Sequence, residues 1–496
     1  MKAVVIGGGL AGITAAVALG KAGHEVTLLE AKPRLGGATM SFSRDGLVID
    51  TGQHVFLRCC TAYRGLLDRL GVAAHAPLQP RFDMTVLAPG QQASLRRRRV
   101  PAPLHMLPAL LGYPFLNWAE RMRLTLAALA FRRLDEKDVK TDELRLGDWL
   151  AAHGQDERTR RVLWDLFSVS SLNVPGDDAS LALAAVVVKT GLLGDADAAD
   201  IGVPTRPLGE LHGAAAARLL GKLGATVRTQ AKVTAIEPTD DGGFRVWVAG
   251  EGDPVDEPSS APDTMADLAI GRAAVGAGGS PPRGATALTA DAVVLAVPHE
   301  QAAKLMPAGA LPAETVDGWA GLGAAPIVNV HVIYDRPVMD LPFAAAIDSP
   351  VQWVFDRTRI SGISTSSHGA SNHGRPGHQY LAISLSAADQ YADVPAARLR
   401  EQFVPALAEL FPAARDARVA EFFVTRERRA TFRQTPGTGA LRPKAATRRP
   451  GLVLAGAWTD TGWPDTMEGA VRSGLAAAVE LRRTVLASTS TIGERQ

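Results

Sequence analysis

Three glycines near the start of the chain, Gly7, Gly9 and Gly12, form the pattern G-x-G-x-x-G. The apolar run Val4, Val5, Ile6 before them reads as a strand, and the Ala-rich stretch Leu10 to Leu19 after them as a helix. Gly23 ends that helix, and Val26 to Leu29 reads as a second strand closing on Glu30. This order suits a dinucleotide. Gly7 permits the tight strand-to-helix turn, Gly9 lets backbone approach a pyrophosphate, and Gly12 lets helix and strand pack closely. The amides at the helix start, from Leu10, Ala11 and Gly12, attract phosphate. Glu30 stands where a carboxylate accepts a ribose hydroxyl. The motif alone is a weak signal; strand, helix, second strand and acid at the right spacing make it specific.

Between NAD and FAD, the next residues favour FAD. The stretch Ala31-Lys32-Pro33-Arg34-Leu35-Gly36-Gly37 resembles the R-x-G-G extension of flavoproteins in the amine oxidase and carotenoid desaturase superfamily. In that setting Ala31 and Arg34 are cofactor contacts, Arg34 to a phosphate, and Gly36 and Gly37 pass under the flavin without a side-chain clash. The far end resembles the superfamily's second FAD motif. Gly451 to Ala457 reads as a strand entering a turn at Gly456, Asp460 follows, and Met467-Glu468-Gly469-Ala470 opens a helix. The resemblance implies that Asp460 holds a ribityl hydroxyl and that the helix start at Met467 faces the flavin pyrimidine carbonyl. It also implies that the backbone of Val233 holds adenine. Partial positive charge at the helix start would stabilise reduced flavin. FAD is expected to be bound non-covalently.

The segment Gly52-Gln53-His54-Val55-Phe56-Leu57, followed by Cys59, Cys60 and Tyr63, is similar to hydroxysqualene dehydroxylases, also called squalene-associated FAD-dependent desaturases. The resemblance spans nearly the whole chain except 250–285. It implies reductive removal of an allylic hydroxyl from hydroxysqualene to give squalene and water, in squalene and hopanoid biosynthesis. Hydride would pass from reduced flavin N5 to an allylic carbon, and an unidentified electron donor would reduce the FAD. His54 is the catalytic candidate, assisting departure of the hydroxyl; a structural histidine bonded to backbone is the plainer role. Three alternatives use the same fold: a carotenoid-type desaturase, an amine oxidase and a non-enzymatic isoprenoid-binding protein. Amine oxidases place a tyrosine where Thr466 stands, and the chain has only five tyrosines, so the aromatic cage of that reaction is doubtful. Intact Gly7, Gly9, Gly12, Glu30 and Asp460 weigh against the carrier.

Composition narrows the classes. Hydrophobic residues make up 46% and charged residues 21% of 496, as in an ordinary globular protein of more than one domain. A net charge of +2 gives no case for nucleic acid. The two cysteines are adjacent, which leaves no disulfide framework and no four-thiolate zinc site. His368, His373 and His378 lack ligand spacing, so no metal is expected. The first strand begins too early for a signal peptide, and prolines break the longest uncharged run, Val100 to Ala119. A cytoplasmic protein is expected, one that touches the inner face of the membrane if 96–131 is a contact surface.

The expected fold is α/β: a doubly wound Rossmann-type FAD domain with a second, α+β substrate domain. Segments 1–75, 205–298 and 440–487 make the first, and 76–204 and 299–439 the second. Residues 250–285, rich in Pro, Gly, Ser and Ala, read as a flexible insertion, and 488–496 as a disordered tail. Asn117 and Glu120 form a capping-box-like start to a helix. Trp118, Met122, Leu126 and Leu129 share one face of it, which Leu124 and Phe131 are expected to widen and which reads as a core face or, beside Arg96 to Arg99, as a lipid-facing entrance. Helical stretches are expected from Trp149 to Leu172 and from Ala179 to Val188. Asn173 between them reads as the cap of the following helix or as a side chain reaching into the cavity, the cap being the plainer role.

Overall fold

The computed structural model describes residues 1–249, 285–363 and 377–493. The expected insertion lies outside the described residues except for Ala285, as do His368 and His373.

Five parallel strands form the cofactor-side sheet, in the order Leu452–Leu454, Ala292–Leu295, Lys2–Ile6, Glu25–Leu29, Thr226–Arg228. Continuous apolar runs such as Ala292–Leu295, buried throughout, suit a sheet covered on both faces. The chain leaves the central strand Lys2–Ile6 towards one edge and later returns on the other side. A crevice outside the carboxyl ends of the strands belongs at that reversal. Ala3 and Val5 point to one face, where helices Leu10–Lys21 and Met467–Gly493 pack. Val4 and Ile6 point to the other. Among the described residues, helices do not cover that second face. An antiparallel sheet of Val233–Pro238, Phe244–Val248 and Thr286–Ala290 does, because Phe244, Val246 and Val248 alternate inward.

Seven strands form the second sheet, in the order Val419–Thr431, Ala325–Tyr334, Gln379–Leu385, Trp353–Asp356, Phe343–Ala346, Asp83–Ala88, Gln91–Arg96. Strand Ala325–Tyr334 is buried along almost its whole length. Val328, Val330, Val332 and Tyr334 pack on helix Ala396–Leu410 through Leu399, Phe403 and Leu407. The alternate residues face the opposite way. Ile333 meets Leu47 and Ile49, and Asn329 reaches the backbone of Thr51.

Three expectations change. The helix Trp118–Phe131 does carry its capping box: Asn117 Oδ1 accepts the Glu120 amide at 3.0 Å, and Glu120 Oε2 accepts the Asn117 amide at 2.6 Å. Its buried residues, however, are Glu120, Leu124, Ala127 and Phe131, so Leu124 and Phe131 lie opposite the Trp118 stripe and do not widen it. The stripe Trp118, Met122, Leu126, Leu129 faces outward, because Phe131 stacks into Trp149 and Trp164 and fixes the roll of the helix. Asn173 closes the preceding helix Asp165–Leu172 in a left-handed conformation with φ 53°. Ser180 caps the helix that follows. The closing helix runs on to Gly493, through most of the expected tail, since no residue between 488 and 492 breaks it.

Candidate active site

The N-terminal glycines form a cradle with room on one side only. A Cβ at Gly7, whose φ is 106°, would lie 2.3 Å from the Ala296 carbonyl oxygen, and one at Gly12 would lie 1.9 Å from the Gly7 carbonyl oxygen. Gly9 differs: the nearest atom to its Cβ position is Gly37 Cα at 3.9 Å. That open side is where a ligand backbone can approach. Gly9 is the extended N-cap of helix Leu10–Lys21, and no side chain caps that helix. The amides of its first turn therefore point at the open side with no side-chain acceptor.

Glu30 closes the cradle. Its Oε2 accepts the Gly8 amide at 2.6 Å and its Oε1 accepts the Lys32 amide at 2.8 Å. A carboxylate has lone pairs left for ribose hydroxyls after two such bonds. Gly36 donates to the Gly8 carbonyl at 2.8 Å, which draws the Arg34-Leu35-Gly36-Gly37 stretch over the turn. Arg34 and Ala31 are exposed, and Arg34 donates to the Ser41 carbonyl. Val233 begins the strand that follows Ala231, whose amide donates to the Glu30 carbonyl. The residues expected at the pyrophosphate, ribose and adenine are thus brought together.

The C-terminal motif joins the same cradle from behind. Gly456 has φ 145°, and a Cβ there would strike the Trp458 indole at 2.4 Å. The Trp458 indole N–H donates to the Val297 carbonyl, beside Gly7. The helix from Met467 seats Gly474 against the Ala11 carbonyl, where a Cβ would come within 2.2 Å. Asp460 is not drawn in. It is exposed, accepts its own loop's Gly462 amide, and lines an open groove of about 470 Å³ with Thr61 and Arg472. The turn before it is gripped by Arg442, which donates to the carbonyls of Ala457, Thr459 and Trp463. No sequence signal singles out Arg442, an arginine in a Pro-rich loop.

The other end of the site centres on Thr51 to His54. Asp50, at the end of strand Leu47–Asp50, is fully engaged: it accepts Ser41 Oγ and the Leu208 amide and pairs with Arg357. The His54 ring lies against Gly52, where a Cβ would come 2.9 Å from its Cε1. Its Nδ1 is buried without a hydrogen-bond partner, and so are both amide atoms of Gln53 and the Oδ1 of Asn329. Asn329 Nδ2 donates to the Thr51 carbonyl at 3.2 Å, which puts all three residues around one turn. Each unpartnered buried group costs about 1–3 kcal/mol, so such a set marks a place that a ligand or water completes. Sequence reading reached His54 but neither Gln53 nor Asn329.

Burial pushes the His54 imidazole below its usual range, despite the opposing pulls of the Gly52 backbone and of Asp50, so the ring is neutral near pH 7. His212, next to it, is pushed down to about 4 by burial and bonds Tyr63 Oη at 2.9 Å. His331 is pushed to about 3 and is held between Tyr380 Oη at 2.8 Å and Thr425 Oγ1 at 2.9 Å. Asp465 behaves oppositely. Burial raises its carboxyl to about 6, although the Phe432 amide donates to it and Arg442 is near. Thr466 caps the closing helix, accepting the Gly469 amide.

Comparison with known proteins agrees with this geometry. Over 488 residues the chain is 28% identical to the hydroxysqualene dehydroxylase of Rhodopseudomonas palustris, covering 96% of each. Over 526 residues it is 23% identical to the 15-cis-phytoene desaturase of Narcissus pseudonarcissus, covering 99% of this chain and 82% of that one. Among solved structures, putrescine oxidase bound to putrescine superposes with a TM-score of 0.65 at 17% identity, over 97% of this chain and 99% of that one. Cyclohexylamine oxidase from Brevibacterium oxydans does so with a TM-score of 0.65 at 18%, with the same coverage. The family described as flavin containing amine oxidoreductase matches residues 10–482. That match starts at the first helix of the cradle and ends in the helix that backs it, so the chain belongs to this family of flavin-dependent oxidoreductases.

Proposed function

We propose that the protein is an FAD-dependent hydroxysqualene dehydroxylase that holds its cofactor non-covalently. Segments 1–75, 205–298 and 440–487 then form the FAD domain, and 76–204 and 299–439 the substrate domain. Relatives of that name align along almost the full chain. The observation that carries the reading is a cluster of unpartnered buried atoms, both amide atoms of Gln53, His54 Nδ1 and Asn329 Oδ1, at the edge of an apolar interior. A hydroxylated isoprenoid offers these groups a partner; a pure hydrocarbon such as phytoene does not.

The cradle fits FAD. Leu10, Ala11 and Gly12 would present amides to the pyrophosphate, Glu30 would take the ribose, and the Met467 helix start would face the ring. Bound flavin supplies hydride exchange at carbon. The chain's own residues do the rest. His54, neutral, would hydrogen-bond the substrate hydroxyl through a ring N–H and orient it, and the Gln53 amide would add a second donor; the proton with which the hydroxyl leaves as water comes from solvent, not from either side chain. Packed apolar side chains of the substrate domain keep water away from the electron-poor allylic carbon.

The test is a mass-spectrometric product assay on FAD-loaded protein with chemical reductant, offering hydroxysqualene, phytoene and simple amines in parallel. Squalene from hydroxysqualene alone is expected. No squalene from fully reduced holoenzyme overturns the reading, and polyene formation from phytoene turns it to desaturation. H54A and Q53A should lower squalene formation at least tenfold while leaving flavin content and absorption unchanged.

A further inference from the structure

The outward face of helix Trp118–Phe131 is bare and apolar. Trp118 is 64% exposed, Met122 43%, Leu126 64% and Leu129 46%. Their spacing of four, four and three places them in one stripe. The helix cannot roll to hide it. Leu124, Ala127 and Phe131 hold the opposite side in the core, and the buried Glu120 is tied there to Arg158 at 2.8 Å. Two more exposed apolar side chains, Val100 at 41% and Leu104 at 57%, stand on the preceding loop. That loop leads through helix Leu107–Leu111, which touches Trp118–Phe131. A contiguous apolar surface of this kind marks an interaction site.

Charge says what covers it. Residues 98–133 carry six arginines, Arg98, Arg99, Arg121, Arg123, Arg132 and Arg133, and one acid, the internally paired Glu120. Arg98, Arg99, Arg132 and Arg133 are exposed and have no carboxylate partner among the described residues. Arg96 and Arg97 are different: they are committed to Asp83 at 3.0 Å and to Asp200 at 2.6 Å. We propose that this surface docks on an anionic lipid membrane. The stripe enters the boundary between headgroups and acyl chains, and the arginines stay level with the lipid phosphates. No helix among the described residues is long and apolar enough to cross a membrane, so the contact lies along the surface. A second copy of the chain suits the patch less, because two-fold pairing would bring this arginine set against itself.

The test is co-sedimentation of the full-length, flavin-loaded protein with vesicles of phosphatidylcholine alone or mixed with phosphatidylglycerol. Binding to the mixed vesicles, weakened by salt, is expected. W118S/L126S should reduce it about tenfold or more, and R98S/R99S about tenfold through lost phosphate contacts. All four positions are exposed, so flavin content and circular dichroism should not change; M122S/L129S is an independent second pair. No binding by the wild type, or unchanged binding by both stripe variants, overturns the proposal. So does a solution dimer that the stripe variants dissolve. None of these outcomes depends on turnover, so the membrane contact stands or falls apart from the reaction.

Discussion

Gly9 and Gly12 share a turn but meet different demands. Gly12 touches protein, with its Cβ position 1.9 Å from the Gly7 carbonyl oxygen, whereas the Gly9 position looks into open space. Gly12→Ala should therefore cost several kcal/mol of stability with or without flavin, roughly the scale of an overpacked core. Gly9→Ala should leave the apo protein within about 1 kcal/mol of wild type, since its backbone is extended, and still weaken flavin binding at least tenfold. Melting curves of apo and loaded protein separate the two. Asp465 makes a pH prediction. Its carboxyl lies at about 6 in the folded chain against an ordinary 3.8, so the folded state binds that proton more tightly. Its contribution is favourable below about pH 4 and is lost as pH rises towards 6, by up to roughly 3 kcal/mol. Asp465→Asn should remove that slope and gain stability relative to wild type at pH 7, read by denaturant unfolding across pH 4 to 8. The glycines were legible because their demands are local. Gln53, Asn329 and Asp465 were not, because an amide or a carboxyl becomes unusual only once distant strands bury it.

Elements repeat that division. The capping box of Asn117 and Glu120 lies within four residues and could be read from the chain. The outward face of the same helix could not, because apolar residues occur on both sides and only Trp149 and Trp164 decide which is covered. Asn173 shows how an element's end is set from afar. Its side chain donates to the Ala325 carbonyl and Thr431 Oγ1 and accepts the Ala387 amide, all while its backbone is left-handed. Asn173→Ala should cost about 3–5 kcal/mol, from three lost bonds and a strained φ. Asn173→Gly keeps the conformation available and should cost about 1 kcal/mol less. Equilibrium unfolding of the two variants side by side measures the difference.

At the scale of the whole molecule, segments far apart in sequence are tied by a few buried groups. Asp200 is one: it accepts from Arg58 in the N-terminal segment and from Arg97 and the Phe82 amide in the next. Burial opposes its charge, but Arg97 and Arg58 outweigh that and hold the carboxyl below its ordinary range. Its stabilising contribution is complete above about pH 4 and is lost as pH falls through the depressed value. Asp200→Asn should destabilise by roughly 3–5 kcal/mol at pH 7, because two arginines lose their partner. The gap to wild type should shrink in acid, as thermal melts at several pH values would register. That both ends of the chain build one sheet was legible from the two terminal motifs; the antiparallel cover over the second face was not, since short alternating strands carry no mark of what they cover. Gly474 against the Ala11 carbonyl has one further consequence. Ribosomes deliver the opening helix long before the helix that backs it, so a nascent chain passes through a long stage with the N-terminal glycine cradle unbacked. Flavin loading, and the protection from proteolysis that comes with it, must wait until that later helix has been made and has docked.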